Sequence, residues 1–435
     1  MPIPKTPSGH ARATYHVSMT AAEINARLDA VEIAFNKNWL ESNDTHRIQK
    51  VWHRDDPLAT LEILSLGQAL LTMQRIDAPW VKEIVRKSRE DGNKTHGWIF
   101  ELIGASMFAE AGMDVAPMPK NFPGYDVEIR FADGYKMKVS FKSHDMSAHE
   151  EGFQNGCHQL REIASSRFRG TSPSFFLQIS CTNHLDKTRM GAVHEWINLL
   201  ISDLKEQNQC ITLGDTSMMW SAPRHGFNRV ALHPAYYSDT IQVFSRQHHR
   251  EQRRFEKNIF EAEKKFHDST KQSSDSCHVI MMRVHTTANI GLLATYAEQI
   301  LNEPRSKADA VWFYQPGVAH DNGSTTLTHT FKPVIHPGRY GLTHQIKTAV
   351  PFGKVLFEPT ELRLVGPGVN IPMQDSYFFQ QADHYSPASK DAQGAMNGLV
   401  NSPGTGIRIH SVFENATGSM VLSGKFPLID ELLIL

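Results

Sequence analysis

Apolar residues recur at three- and four-residue spacing over 19–41, 56–75 and 78–90, as in PLATLEILSLGQALLTM, so the first ninety residues predict a helical unit. The texture changes near Thr95. HGWIFELIGASMFAEAGMDV predicts a helix closing at Gly112, after which the pattern switches to alternation in PGYDVEIRFADGYKMKVSFKSH, residues 123–144. A helix over 149–167 and the apolar run SFFLQISCT at 174–182 follow, giving the order helix, hairpin, helix, strand. Farther on come the helix GAVHEWINLLISDLKEQ, the charged segment SRQHHREQRRFEKNIFEAEKKFHDSTK, and a strand, helix, strand unit running from CHVIMMRV to ADAVWFYQP. Beyond residue 316 short strands are expected, and no repeat of solenoid or propeller length is present. The expected class is α/β (α+β), with a helical region 1–93, an α/β core with helical insertions 94–315, and a strand-rich region 316–435.

The hairpin carries the chemistry. A three-residue loop Ala132, Asp133, Gly134 would pair Phe131 with Tyr135, Val127 with Val139, and Asp126 with Ser140. Side chains alternate across a strand, so Val127, Ile129, Phe131, Tyr135, Met137 and Val139 form a core face. The other face carries Asp126, Glu128 and Arg130 beside Lys136, Lys138, Ser140 and Lys142, either as an exposed charged face or as a site. On the preceding helix, Glu101 shares a stripe with Gly97, Gly104, Ala105, Phe108 and Gly112, and the small residues suggest close packing.

This arrangement resembles the PD-(D/E)xK nuclease superfamily, whose restriction endonuclease-like core runs αβββαβ; the likeness covers roughly residues 95–182. Glu101 resembles the acid of its first helix, Asp126 in PGYD its strand aspartate, and Lys142 in SFK its lysine. Ser140 stands where the family has a second acid. The resemblance implies a Mg²⁺- or Mn²⁺-dependent endonuclease acting on DNA, with a restriction or antiphage role. Catalytic residues would be Asp126, Lys142, Glu101 and Ser140, with Asp126, Glu101 and Glu128 as metal ligands. Such chemistry needs oxygen ligands for a hard cation and a cation beside the attacked phosphate, which carboxylates and a lysine supply. The competing reading is a noncatalytic protein that keeps the scaffold for nucleic-acid binding or assembly, with Ser140 as the trace of a lost site.

Other residues extend this picture. Gln154, Gln159 and Arg161 on the helix after the hairpin are candidates to sit near the acids, and Arg167 and Arg169 close that helix. In the charged segment, Phe255, Ile259, Ala262 and Phe266 form an apolar stripe that leaves Arg250, Arg253, Arg254 and Lys257 to reach outward, toward a nucleic-acid backbone or simply solvent. With 45 Lys and Arg against 46 Asp and Glu, any polyanion site is a patch, not a global charge. The four cysteines are too far apart for a zinc site or redox pair and read as buried thiols. None of the 23 histidines falls in a zinc-protease motif, and GSMVLSGKF departs from a phosphate loop. No apolar run reaches membrane-spanning length and the first residues lack a secretion signal, so a cytoplasmic protein without membrane contact is expected, with homo-oligomerisation left open.

Overall fold

The computed structural model describes residues 19–435 except 44, 55–56, 91–93, 120–123, 169–174, 203–207, 222–238, 270–274, 322–323, 339–345, 358–362, 367–368, 373–375, 383–385, 391–395, 401–406, 412–420, 424 and 427–431. The chain opens with helices α1 (Ala21–Phe35), α2 (Lys37–Ser42), α3 (Arg47–His53) and α4 (Pro57–Glu90). A capping box starts α1, with Thr20 and Glu23 exchanging side-chain and backbone bonds. α4 is two helices joined at Asp77, whose backbone leaves the helical region and whose Oδ1 accepts from Trp80 N at 2.9 Å. Pro79 therefore sits in a first turn, where its missing N–H costs nothing. The two periodic segments expected on either side of residue 77 correspond to these halves.

Next come α5 (Thr95–Glu110), β1 (Asp114–Pro117), β2 (Val127–Arg130) and β3 (Lys136–His144). A long excursion follows through α6 (Ala148–Phe168), β4 (Phe175–Cys181), α7 (Lys187–Ser202), β5 (Asn208–Leu213), β6 (Thr216–Ser221) and β7 (Asp239–Arg246). The chain then returns through α8 (Glu251–Ser269), β8 (Ser276–Val284), α9 (Ile290–Leu301), β9 (Ala310–Asp321), β10 (Ser324–Ile335) and β11 (Lys354–Leu356). The remaining strands are β12 (Arg363–Gly366), β13 (Val369–Pro372), β14 (Ser376–Ala382), β15 (Ser386–Lys390), β16 (Met396–Val400), β17 (Ile407–Ser411), β18 (Val421–Ser423) and β19 (Lys425–Phe426).

A seven-stranded sheet, ordered β1-β2-β3-β8-β9-β10-β11, organises the molecule. Strands β1, β2 and β3 form an antiparallel meander, and β3, β8 and β9 run parallel. One face packs on α4 and α5, with α1 against α4: Val127, Ile129, Met137, Val139 and Met281 lie fully buried in one core with Leu64, Leu70, Ile99 and Phe108. The other face, with Ile280, Met282, Val311 and Phe313, lies under α8 and α9. Phe255, Ile259, Ala262 and Phe266, the stripe expected on α8, are all buried there. Each large apolar side chain so buried contributes about 1.5–3 kcal/mol. A fully covered parallel centre explains why every residue of β8 is buried, and why its apolar run Val279–Met282 does not alternate.

The structure differs from the expected order in one respect. The apolar run at 174–182 forms β4, but β4 does not join β3; it lies in a second sheet, β14-β7-β4-β6-β5, beneath α6 and α7. β3 is instead flanked by β8, well over a hundred residues later, reached through α8. The N-terminal helices share one apolar core with the first sheet, and the boundary expected at 315/316 falls within β9. Cys157, Cys181 and Cys277 are buried free thiols, as expected of them. No helix among the described residues is long and apolar enough to cross a membrane.

Candidate functional site

The hairpin has the expected register: Val127 opposes Val139, and Phe131 and Tyr135 close the turn through Phe131 N to Tyr135 O at 2.9 Å. Gly134 supplies the positive φ that the tight loop demands. Before β2, Gly124 turns the chain at φ 136 and delivers Asp126, whose N–H donates to Val139 O at 2.9 Å. Past this point β2 no longer accompanies β3, so residues 140–144 pair with β8 alone. Asp126 stands where the sheet opens.

Its carboxylate is held there. Phe141 N–H donates to Asp126 Oδ2 at 2.7 Å, and Ser140 Oγ donates to the same oxygen at 3.3 Å. Ser140 is fully buried. It acts as a donor that fixes the neighbouring acid, a role the side chain of a second acid could fill only if protonated. Lys142, two residues along, shares the pleat direction of Ser140 and is half-buried. α5 carries Glu101, also half-buried, and its Gly104 sits against the Phe141 ring. A Cβ at Gly104 would lie 2.3 Å from Phe141 Cε1, whereas one at Gly97 would meet nothing. Of the expected stripe of small residues, then, Gly104 makes the close approach; Gly112 instead ends the helix at φ 80.

Other expected site residues lie elsewhere. The Glu128 face of the hairpin is buried at its middle and exposed at its turn end: Glu128 and Lys138 are 6% and 8% exposed, while Arg130 and Lys136 lie exposed. Both Glu128 oxygens are engaged, Oε2 by Tyr125 OH at 2.9 Å and Oε1 by Arg130 Nε at 2.9 Å, so it has the setting of a structural ion pair. Burial opposes its charge, but these donors hold it below the usual carboxylate range. Gln154 is buried in the second sheet's layer and donates to Phe378 O at 3.0 Å, while Gln159 is exposed and Arg161 half-buried on the same α6. Arg250, Arg253 and Lys257 point to solvent as expected, but Arg254 turns inward, donating to Asp145 O at 2.7 Å and Met146 O at 3.2 Å. The stripe alone could not distinguish these directions, because Arg254 adjoins the buried Phe255. The Arg167 side chain and Arg169 lie outside the described residues.

A polar network beyond Lys142 was not anticipated. Asp145 Oδ1 receives Arg283 Nη1 at 2.8 Å, Ser143 Oγ at 3.0 Å and His96 Nδ1 at 3.1 Å. Burial works against its ionisation, yet these partners hold the carboxyl far below the ordinary range. Next, Glu150 is buried, with Thr287 Oγ1 donating to Oε1 at 2.9 Å and His285 Nε2 at 3.3 Å from Oε2. His285 Nδ1 is 2.7 Å from Thr287 Oγ1. Burial, with Glu251 nearby, pushes Glu150 up to about 8, and burial holds His285 well below 6.5. A protonated Glu150 therefore closes a ring: its O–H donates to His285 Nε2, His285 Nδ1–H to Thr287, and the Thr287 hydroxyl back to Glu150. Glu251 accepts from Ser147 and Tyr377 hydroxyls, joining α8 to the segment before α6 and to β14 of the second sheet. Beside it, His149 stacks on His248 with centroids 3.5 Å apart, and His184 lies 5.1 Å from His248. The clue in the sequence was the density of polar residues in SHDMSAHEE directly after Lys142; their partners on β8 and α8 are remote in sequence.

Comparison with protein families, curated proteins and solved structures gives no match. Among the described residues, no group of three or more His, Cys, Asp or Glu side chains is placed to hold a metal ion.

Proposed function

We propose that this chain is a divalent-metal-dependent nuclease of PD-(D/E)xK type that hydrolyses phosphodiester bonds, with DNA as substrate by the habit of that superfamily, in a restriction or antiphage role. The observation that carries the reading is the fixation of Asp126 by the Phe141 N–H and Ser140 hydroxyl at the point where β2 leaves β3. The order α5, β1, β2, β3, α8, β8, with β8 parallel to β3, supports a restriction endonuclease-like core in which the second sheet is an insertion. The donor set is all oxygen, and a hard cation that keeps several waters needs only one or two carboxylates besides substrate phosphate. Asp126 and Glu101 would hold Mg²⁺ or Mn²⁺; when bound, the cation would offset charge gathering on the phosphate oxygens. Lys142 would orient the attacking water and receive its proton or balance phosphate charge. Exposed Arg250, Arg253 and Lys257 on α8 would track the backbone.

The second reading, a noncatalytic nucleic-acid-binding or assembly protein on the same scaffold, is favoured by the buried Ser140 in place of an acid. Cleavage of plasmid, linear duplex, single-stranded DNA and RNA with Mg²⁺ or Mn²⁺ separates the two. Metal-dependent cleavage lost in both Asp126→Ala and Lys142→Ala, with folding retained, supports the nuclease. Cleavage absent from the wild type, or surviving both substitutions, sinks it.

A further inference from the structure

A cavity of about 380 Å³ opens at the far side of the central sheet, where β9 and β10 meet the segment 346–348 and Phe357. Its size lies within the range of small-molecule sites. Four aromatic residues, Trp312, Phe313, Phe331 and Phe357, line it together with Lys332, Lys347 and Thr348, and no acidic residue is among the described lining. The walls are fixed from both directions. Phe108 of α5 stands against Trp312 at 6.4 Å between ring centroids, and Ala349 N donates to Met107 O at 2.9 Å, fastening the segment that carries Lys347 and Thr348 to the same helix. Phe357, by contrast, keeps 72% of its surface exposed, an unusual degree for so large a ring.

Aromatic walls beside lysines, without carboxylates, suit a planar ring joined to a phosphate better than a purely apolar chain or a bare anion. An apolar chain would leave the ammonium groups without counter-charge, and a bare anion would leave the rings unused. We infer that this cavity receives one base of a single-stranded nucleic acid, stacked against Phe357 and Trp312, with Lys347 toward the adjoining phosphate. The register row Phe141, Met281, Trp312 sets Trp312 two strands, roughly 10 Å, from the residue whose N–H holds Asp126. α5 lies over that row, so the cavity is a site apart from Asp126, and its occupation requires no metal and no cleavage.

The test is fluorescence anisotropy of a labelled short oligothymidylate in EDTA, with photocrosslinking of its 5-iodouracil analogue. The wild type is expected to bind, and to crosslink in peptides containing Trp312 or Phe357. Phe357→Ala, at an exposed position that leaves the core intact, should weaken binding on the order of tenfold, the loss of one stacked base. Lys347→Glu should weaken it and flatten its dependence on salt. Unchanged binding in both variants, crosslinks confined to other segments, or no binding of oligothymidylate by the wild type each overturn the inference. Because the arms run without divalent metal, a failed nuclease assay leaves this result standing, and a failure here leaves the nuclease reading to its own assay.

Discussion

Ser140 donates its hydroxyl to Asp126 Oδ2 from 3.3 Å while the next residue's N–H reaches the same oxygen from 2.7 Å. The serine thus works on the acid across the hairpin instead of replacing a missing ligand. Ser140→Ala should cost about 0.5–1.5 kcal/mol of stability, a single neutral-to-carboxylate bond, and lower cleavage only modestly because Phe141 N–H remains. Ser140→Asp should not raise activity: it buries a second carboxylate against the first, and denaturant unfolding should show a larger loss than for alanine. Paired urea melts and cleavage rates on both variants check this, and a gain of activity in Ser140→Asp would contradict it.

The contact between Gly104 and Phe141 sets the distance between α5 and β3. Gly104→Ala would place a methyl group 2.3 Å from Phe141 Cε1, and the ring cannot swing freely because Phe100 packs edge-on at 5.5 Å. A loss of about 1–3 kcal/mol is expected, accompanied by reduced activity as β3 and Lys142 shift relative to Glu101. Phe141→Leu on the same background should recover part of the stability, since it removes the clashing ring edge. Thermal unfolding of the two single variants and the double variant gives the coupling.

Local pattern reached as far as local forces decide the structure. Alternation fixed the Val127–Val139 register, since a slip by one residue would send Ile129 and Met137 to the wrong face. The three- and four-residue spacing likewise identified Phe255, Ile259, Ala262 and Phe266 as the buried edge of α8. What escaped was partnership at long range. The runs at 174–182 and 276–284 are both apolar enough to lie in a buried sheet, and nothing local distinguishes the neighbour of β3 from a strand of the second sheet. Arg254 escaped for the same reason, as its acceptors, the Asp145 and Met146 carbonyls, come from a distant turn. The juxtaposition of Asp126 and Ser140 was legible because turn and register lie within one short stretch; the serine's bond to the carboxylate was not.

Glu62 is buried in α4 and accepts three successive backbone donors, from Leu433, Ile434 and Leu435, at 2.9, 2.9 and 3.0 Å. Burial raises its pKa, with the three N–H bonds opposing. Glu62→Ala leaves those buried donors without acceptors and should cost about 3 kcal/mol or more, whereas Glu62→Gln keeps an acceptor oxygen and should cost far less. Urea unfolding checks the difference, and hydrogen exchange at residues 433–435 should quicken in the alanine variant alone.

The ring of Glu150, His285 and Thr287 ties stability to pH. Glu150 titrates near 8 in the folded protein against 4.5 for an ordinary glutamic acid, so between these values the folded state keeps a proton that the unfolded chain has released. Its contribution to stability is therefore complete below about pH 4.5 and is lost progressively as pH rises toward 8. Glutamine has the shape of the protonated acid: its amide N–H can donate to His285 Nε2 while its oxygen accepts from Thr287. Glu150→Gln should match the wild type near pH 5 and become the more stable of the two as pH approaches 8. Urea titrations at several pH values on both proteins measure the gap. A gap that stays flat, or that widens toward acid, would mean that Glu150 is ionised in the folded state and that the ring is held by charge.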